Sequence, residues 1–188
     1  GLDLVDIGAN VGIYSLYFAK ISENSQIYSF EPDASSFTSL VKNISANSTS
    51  NIKAFCIAIG SKKGFYEMNF YDFAAGAGAG SIDSEYIFTN AKDKKKYVQQ
   101  TFCETLDNCS EELIFTENCL VKIDVDGPEY EIIKSGKNFL SSNKVKSVMI
   151  EINSKNEIDK HKIFGLMQSY GYKKIYQGNW IDKYKDYE

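Results

Sequence analysis

The stretch LDLVDIGANVG, residues 2–12, decides the predicted fold. Its apolar run up to Ile7 predicts a buried strand, and Gly8 predicts a tight turn at the end of that strand. Apolar side chains then recur at helical spacing, at Ile13, Leu16 and Tyr17. They predict a helix that reaches about Ile21, so the chain opens with a strand, a glycine turn and a helix.

The same alternation of strand and helix continues along the chain. Residues 26–30 predict a second strand, Asp33 is placed to cap a second helix, and residues 51–59 predict a third strand. Later strands are predicted over 120–126 and 144–153, with a helix between them that stops at Gly136, and a last helix carries the apolar stripe Ile163, Leu166, Met167 and Tyr170. Parallel neighbours need such crossover helices, so we predict an α/β fold with a doubly wound, mostly parallel sheet.

The segment after the third strand breaks this pattern. Residues 64–71 alternate like an added antiparallel strand, and Ala74–Gly80 contains only alanine and glycine. That stretch has no side chains to pack a core, so it is either a surface linker or a loop that closes over a substrate. Residues 92–96 are a solvated charge run, and we predict that order resumes at Leu120.

Length and composition indicate a globular domain. The 188 residues are 43% hydrophobic and 24% charged, which excludes disordered and fibrous classes and predicts a single domain over 1–188. The net charge is -4 and all 21 basic side chains are lysine, so we expect no nucleic-acid partner. Because the first residues already predict a strand, we expect an excised domain whose native N-terminus extends further.

No membrane span or secretion leader is visible, because no apolar run reaches roughly 18 residues. The four cysteines lack the paired spacing of a zinc site and the density of a disulfide scaffold, which predicts reduced thiols. We therefore expect a cytoplasmic protein, and the lysine-rich, arginine-free composition favours a bacterial source. Nothing in the sequence specifies an oligomeric state.

Polar residues end the predicted strands. In open α/β sheets, ligands bind beyond the carboxyl ends of the strands, so these residues are the first candidates for a site. They are Asp6, Glu31, Asp124, Asp126, Glu151 and Asn153. The competing interpretation is that Asp124 and Glu151 are only solvated strand ends.

The spacing of Gly8, Asn10 and Gly12 indicates a nucleoside ligand. A glycine turn into a helix lets a ligand approach the backbone, and Glu31 ends the second strand about 20 residues further on, where an acid can accept both hydroxyls of a ribose. A helix-capping role beside Asp33 is the alternative for Glu31. The spacing departs from the dinucleotide fingerprint, and the chain has no arginine, which disfavours a nicotinamide cofactor.

Several motifs in order along the chain resemble the FkbM family of S-adenosylmethionine-dependent methyltransferases. The motifs are DIGANVG (6–12), FEP (30–32), AIG (58–60) with Gly64, TLD (105–107), VKIDVDGPE (121–129) and IEI (150–152). The resemblance spans roughly residues 2–176. It implies a class I methyltransferase fold, with S-adenosyl-L-methionine as cofactor, and O-methylation of a hydroxyl on a sugar, glycan or secondary metabolite.

The resemblance also implies roles for residues of the cofactor site. Gly8, Asn10 and Gly12 would line the methionine and ribose, Glu31 would bind the ribose, and Asp124 would lie near the methionine end. From its chemistry, Asp6 can accept a hydrogen bond from an ammonium group. The third predicted strand ends without an acid, so we expect apolar or backbone contacts to the adenine.

A hydroxyl acceptor needs a base, and the candidate catalytic residues are Asp124, Asp126, Glu129 and Glu151. Asp126 and Glu129 are favoured, although Asp126 stands where many family members carry glutamate. His161, the only histidine, lies opposite the apolar stripe of its helix and is expected to face solvent. Asp124, Glu151 and Asn153 are also oxygen ligands suited to Mg²⁺, but a cationic sulfonium accounts for acids here more simply, so no metal site is favoured.

Three functions remain open from the sequence. A methyltransferase is favoured over a noncatalytic module that only binds S-adenosylmethionine, and a nicotinamide-dependent oxidoreductase is the least favoured. The acceptor, a small molecule or a glycan, would be bound by residues 74–81, the segment before Thr101 and the region near Trp180.

Overall fold

The computed structural model describes residues 1–70, 80–81, 97–125, 127–152 and 157–176. Its strands are β1 (Asp3–Ile7), β2 (Ile27–Phe30), β3 (Ile52–Phe55), β4 (Ala58–Ile59), β5 (Gly64–Phe70), β6 (Gly80–Ser81), β7 (Tyr97–Glu104), β8 (Cys119–Ile123) and β9 (Val145–Ile150). Its helices are α1 (Ile13–Ile21), α2 (Ala34–Ala46), α3 (Leu106–Glu112), α4 (Glu129–Ser135), α5 (Lys137–Leu140) and α6 (Glu157–Ser169). The expected alternation of strands and helices is confirmed.

The central sheet has five parallel strands in the order β3-β2-β1-β8-β9. The chain first winds from β1 out to β3, then returns to β8 and winds out to β9. The direction therefore reverses between β1 and β8, which is where open α/β sheets bind their ligands. The glycine turn after β1 lies at this point.

A smaller sheet of four strands, in the order β4-β7-β5-β6, accompanies the central sheet. Strand β5 pairs antiparallel with β7 along its whole length and with β6 at its end, while β4 is parallel to β7. The prediction of a mostly parallel sheet with an antiparallel addition is confirmed, as is the strand predicted over 64–71.

Alternating side chains of the central sheet enter two cores. Val5 and Ile7 lie in the larger core, which also contains Ile132 of α4 and Ile163 of α6. Leu4 lies in the smaller core, with Ala19 of α1 and the half-buried Ile44 of α2 packed against it. Both faces are covered, as the near-continuous burial of β1 requires of a central parallel strand.

The single strand predicted over 51–59 is wrong. The chain leaves the central sheet after Phe55, and Ala58 and Ile59 pair instead with β7 of the smaller sheet. A strand pattern in the sequence indicates extended backbone, but it does not indicate that the strand changes its pairing partner from β2 to β7. The apolar residues between the two strands, such as Ile57, line the cleft described below.

The prediction that order resumes only at Leu120 is also wrong. Tyr97–Glu104 forms β7, and Thr105 caps α3 by accepting a hydrogen bond from the Asn108 amide. Strand β7 is polar and half-exposed over its first part, so its hydrophobic signal is weak. The alternation of β5 was the available clue, because a strand of that kind needs a partner.

Helix α1 forms as predicted, but two of the three apolar residues that indicated it face outward. Ile13 is 71% exposed and Tyr17 is 65% exposed, whereas the small residues Ser15 and Ala19 are buried against the sheet. Ser15 donates a hydrogen bond to Asp6, at 2.6 Å, on the buried side of the helix.

Other predictions concern single residues. All four cysteines are free and His161 is exposed, as expected. In the part of the chain that the structure describes, no helix is long and apolar enough to span a bilayer. The predicted loop Ala74–Gly80, apart from Gly80, lies outside the described residues, as do the charge run over 92–96 and Trp180.

Asp107 of the TLD motif joins α3 to α5, because its carboxylate accepts hydrogen bonds from the amides of Asn138 at 3.1 Å and Phe139 at 2.8 Å. We expect Asp107→Ala to lower the free energy of unfolding by about 1–2 kcal/mol, since both helical amides lose their acceptor. Urea denaturation measures this, with Glu111→Ala on the exposed side of the same helix as control. Equal stability of the two variants would contradict the capping role.

Candidate functional site

The turn after β1 is a tight bend with three residues in the left-handed region. Gly8, Asn10 and Gly12 have φ values of 79°, 52° and 93°. The amides of Gly8 and Ala9 both donate to the carbonyl of Phe30, at 3.0 Å each. The bend is thus tied to the end of β2, and its Gly8 lines the cleft described below.

Gly8 is required for a second reason. A Cβ atom at this position would lie 1.8 Å from the carbonyl oxygen of Asp124, so the bend passes directly against the end of β8. The turn and the end of β8 are therefore in close contact, so Gly8 is needed for packing, and its role in ligand approach stays a prediction.

Glu31 holds the bend from the β2 side. Its Oε2 accepts a hydrogen bond from the Asn10 amide and its Oε1 accepts one from the Asp33 amide, both at 2.8 Å. Asp33 itself caps α2 by accepting from the amides of Ser35 and Ser36. Glu31 therefore contacts both the bend and the start of the helix, which agrees with the helix-capping alternative, while its binding of a ribose stays a prediction.

Burial sets the charge state of Glu31. The residue is 7% exposed, and this desolvation raises the pKa of its carboxyl from 4.5 to about 7, although its two backbone hydrogen bonds oppose the shift. Near neutral pH, the group accordingly exists in both charged and protonated forms.

Because the folded protein favours protonated Glu31, this group contributes stability at low pH that is lost as pH rises from 4.5 to about 7. The loss corresponds to about 3 kcal/mol. We therefore compare the free energy of unfolding of the wild type with that of Glu31→Gln, which does not titrate at this position. The difference between the two should fall by about 3 kcal/mol from pH 4.5 to about 7. Urea denaturation at several pH values measures it, and a difference that does not change with pH would contradict the buried environment of Glu31.

Asn10 contributes a buried polar atom. Its Oδ1 has no hydrogen-bond partner among the described residues. A buried acceptor without a donor costs free energy, so a donor supplied by a ligand at the bend would relieve that cost.

Lys122 is the site residue that the sequence analysis missed. It lies in β8 beside Asp6 of β1, and its side chain is 4% exposed. Its Nζ donates to the Gly8 carbonyl at 2.8 Å and lies 3.1 Å from carboxylate oxygens of Asp6 and Asp124. The available signal was a charged residue inside the otherwise apolar strand LVKI, since a lysine in a buried strand needs partners.

The environment of Asp6 differs from the predicted ligand contact. Its carboxylate has no exposed surface and is enclosed by Ser15 and Lys122. Burial lowers the pKa of Lys122, but the attraction of Asp6 and Asp124 outweighs it, so the pKa is raised and the ammonium group stays charged. In this structure, Asp6 therefore faces the lysine rather than the cleft.

The candidate catalytic acids that the structure describes follow β8 and β9. The Asp124 side chain is one-third exposed, and Glu129 begins α4 with its Oε1 accepting from the Gly127 amide at 3.3 Å. Glu151 is exposed, and its amide donates to Ile123 at 2.9 Å, which keeps it beside β8. Asp126 and Asn153 lie outside the described residues. In the described ranges, no group of three or more His, Cys, Asp and Glu is arranged to hold a metal ion.

A mostly apolar cleft opens between the bend and the smaller sheet. Its walls come from the ends of β1, β2 and β8, from the segment around β4 and from β5. The lining residues are Ile7, Gly8, Phe30, Pro32, Ile57, Ala58, Ile59, Met68, Val125 and Pro128. The interior of the cleft is apolar, and Gly8 is the residue of the bend that lines it.

Comparisons with known proteins agree with this architecture. A family model described as the methyltransferase FkbM domain matches residues 6–174. "Methyltransferase 1" of Beauveria bassiana (strain ARSEF 2860) is 23% identical over 141 residues, which cover 70% of this chain and 57% of that protein. The chain therefore spans little more than half the length of this curated relative.

Solved structures show the same fold. Methyltransferase FkbM from Methylobacillus flagellatus KT superimposes with a TM-score of 0.63 at 14% identity, covering 90% of this chain and 37% of that one. Precorrin-6y C5,15-methyltransferase from Geobacter metallireducens GS-15 has a TM-score of 0.50 at 12% identity, covering 92% of this chain and 64% of that one. The fold is that of class I methyltransferases.

Proposed function

Because the chain belongs to the FkbM methyltransferase family, we propose that it binds S-adenosyl-L-methionine at the bend and methylates a hydroxyl oxygen of a sugar, glycan or secondary metabolite. The observation that carries this proposal is the position of Glu31, which contacts the bend and lies between Phe30 and Pro32, two residues that line the apolar cleft. An acid in that position can accept hydrogen bonds from the hydroxyls of a ribose.

The residues of the site fit this cofactor. Each Glu31 oxygen accepts one protein hydrogen bond and retains capacity for another, which matches the two hydroxyls of a ribose. The apolar cleft suits the adenine ring, and the unpartnered Asn10 Oδ1 and the partly exposed Asp124 are acceptors for an ammonium group. When bound, S-adenosyl-L-methionine supplies an electrophilic methyl carbon attached to a positively charged sulfur.

The charges of the site favour this ligand over a nicotinamide dinucleotide. Asp124 and Glu31 would repel the two phosphates of a dinucleotide, and the chain has no arginine to bind them. The ammonium of Lys122 is already occupied by three acceptors. The groups around the bend therefore suit a ligand without phosphates.

The role of these residues in catalysis is to hold the reactants and to remove a proton. A rigid bend restricts the cofactor to one orientation, and alignment of acceptor and methyl group supplies much of the rate enhancement in such displacements. We favour Asp126 or Glu129 as the base for the acceptor hydroxyl. Support for Glu129 comes from its position next to Pro128, which lines the cleft. Asp124 and Glu151 are the other candidates.

We further propose that transfer does not depend on Mg²⁺, since the acids near the bend have a direct use in attracting a cationic ligand. Activity that survives chelation would support this view. Loss of activity on chelation, with recovery on adding Mg²⁺, would overturn it.

Calorimetry and a transfer assay test the main proposal. We expect the full chain to bind S-adenosylhomocysteine and not NAD, and to release methyl groups onto at least one member of a panel of glycosides and hydroxylated metabolites. Binding without transfer over a broad panel would instead support a noncatalytic binding module. Binding of NAD without S-adenosylhomocysteine would support an oxidoreductase and overturn the proposal.

A further inference from the structure

Lys122 has a fully occupied environment at the centre of the site. A lysine ammonium has three protons, and three acceptors surround this one: the Gly8 carbonyl, Asp6 and Asp124. The ring of Tyr14 covers the same group, with its centroid 5.1 Å from Nζ. These contacts hold the lysine in one position, and the lysine in turn fixes the Gly8 carbonyl, Asp6 and Asp124.

The three acceptors are not equivalent. Asp6 is completely buried and also accepts a hydrogen bond from Ser15, so it is the buried partner of the lysine. Asp124 is one-third exposed, and its Oδ2 is the oxygen beside Lys122. The lysine thus occupies one oxygen of Asp124, and the other accepts no hydrogen bond within the part of the chain that the structure describes, which leaves it for a ligand.

Stability alone does not account for a lysine here. Replacing a buried ion pair by apolar residues of similar volume is often neutral or stabilising, because the desolvation of the charges offsets their attraction. Neighbouring positions of β8, such as Val121 and Ile123, are filled by apolar side chains. This ammonium group meets two carboxylates and the carbonyl of Gly8, which lines the cleft, so we look for a reason connected with the ligand.

We propose that Lys122 is a positioning residue, which orients Asp124 so that its free oxygen receives the ammonium group of the cofactor's amino-acid end. This inference rests on the proposed function. Lys122 acts through Asp124 and does not contact the reacting atoms. It therefore contributes to binding of the amino-acid end and little to binding of the nucleoside end, for which Glu31, bound to the Asn10 amide, is the proposed partner.

Two ligands separate these contributions. S-adenosylhomocysteine carries the amino-acid end, whereas 5′-methylthioadenosine shares the nucleoside and lacks it. We expect Lys122→Met to weaken binding of S-adenosylhomocysteine by roughly 10- to 100-fold and binding of 5′-methylthioadenosine by less than about threefold. Calorimetry on the full chain measures both, and Lys42→Met, at an exposed position of α2, is the matched control.

Lys122→Met leaves the Asp6 carboxylate buried without its partner and lowers stability. If that variant does not fold, the double variant Asp6→Asn with Lys122→Met makes the same comparison without the buried charge. Equal weakening of both ligands would show a purely structural role and overturn the inference while leaving the proposed function intact. A wild-type protein that binds neither ligand would overturn the proposed function itself.

Discussion

Replacing Glu31 with alanine is expected to weaken binding of S-adenosylhomocysteine by about 100-fold or more. The variant loses the acceptors proposed for the ribose hydroxyls, and it also leaves the Asn10 amide, which forms part of the bend, without its partner. Each hydrogen bond to a charged group contributes about 1.5–3 kcal/mol, so the two effects together account for the size of the loss. Calorimetric titration of the wild type and the variant measures it.

Two further variants sharpen this experiment. Glu31→Gln keeps the size of the side chain but places an amide NH₂ toward one of two backbone donors, so we expect an intermediate loss. Glu23→Ala removes an exposed acid and serves as the control. If Glu31→Ala binds S-adenosylhomocysteine as tightly as the wild type, the cofactor site has been assigned to the wrong place.

Gly8→Val is expected to produce the largest loss of stability, about 4 kcal/mol or more. The first added atom would lie 1.8 Å from the Asp124 carbonyl oxygen, and the backbone φ of 79° disfavours any β-branched residue. Since small domains have a total stability of about 5–15 kcal/mol, we expect much of the variant protein to be unfolded. Urea denaturation measures the change, and soluble protein should also fail to bind S-adenosylhomocysteine.

A glycine elsewhere in the chain provides the matched control. Gly165 lies in α6, and a Cβ atom there would meet no other atom within 4 Å. Gly165→Ala should raise the free energy of unfolding by about 0.5–1 kcal/mol, because alanine is the better helix former. Wild-type stability and ligand affinity in Gly8→Val would contradict the close contact between the bend and β8.

Features that depend on neighbouring residues were predictable. The run before Gly8 identified β1, Asp33 was correctly predicted as the cap of α2, and Gly136 marked the end of α4. The prediction that residues 64–71 form an antiparallel strand was also correct, since β5 pairs antiparallel with β7. In each case, the spacing of apolar residues or the chemistry of one cap or turn residue carries the information.

Features that depend on distant residues were not predictable in the same way. The change of partner between Phe55 and Ala58 requires β7, which lies more than forty positions further along the chain. Ile13 and Tyr17 face outward while Ser15 on the buried side of the same helix bonds to Asp6, and a count of apolar residues does not register that polar contact.

The sequence by itself determined the order along the chain of the strands of the central sheet, the glycine bend and the presence of acids at the strand ends, because turn chemistry and hydrophobic period act over a few residues. Only the tertiary structure decided which polar groups meet: Lys122 reaches Gly8 across 114 positions, and Asp6 is enclosed while Asp124 stays partly open. The register between β1 and β8 creates those contacts, and strand pairing is a cooperative property of the whole sheet.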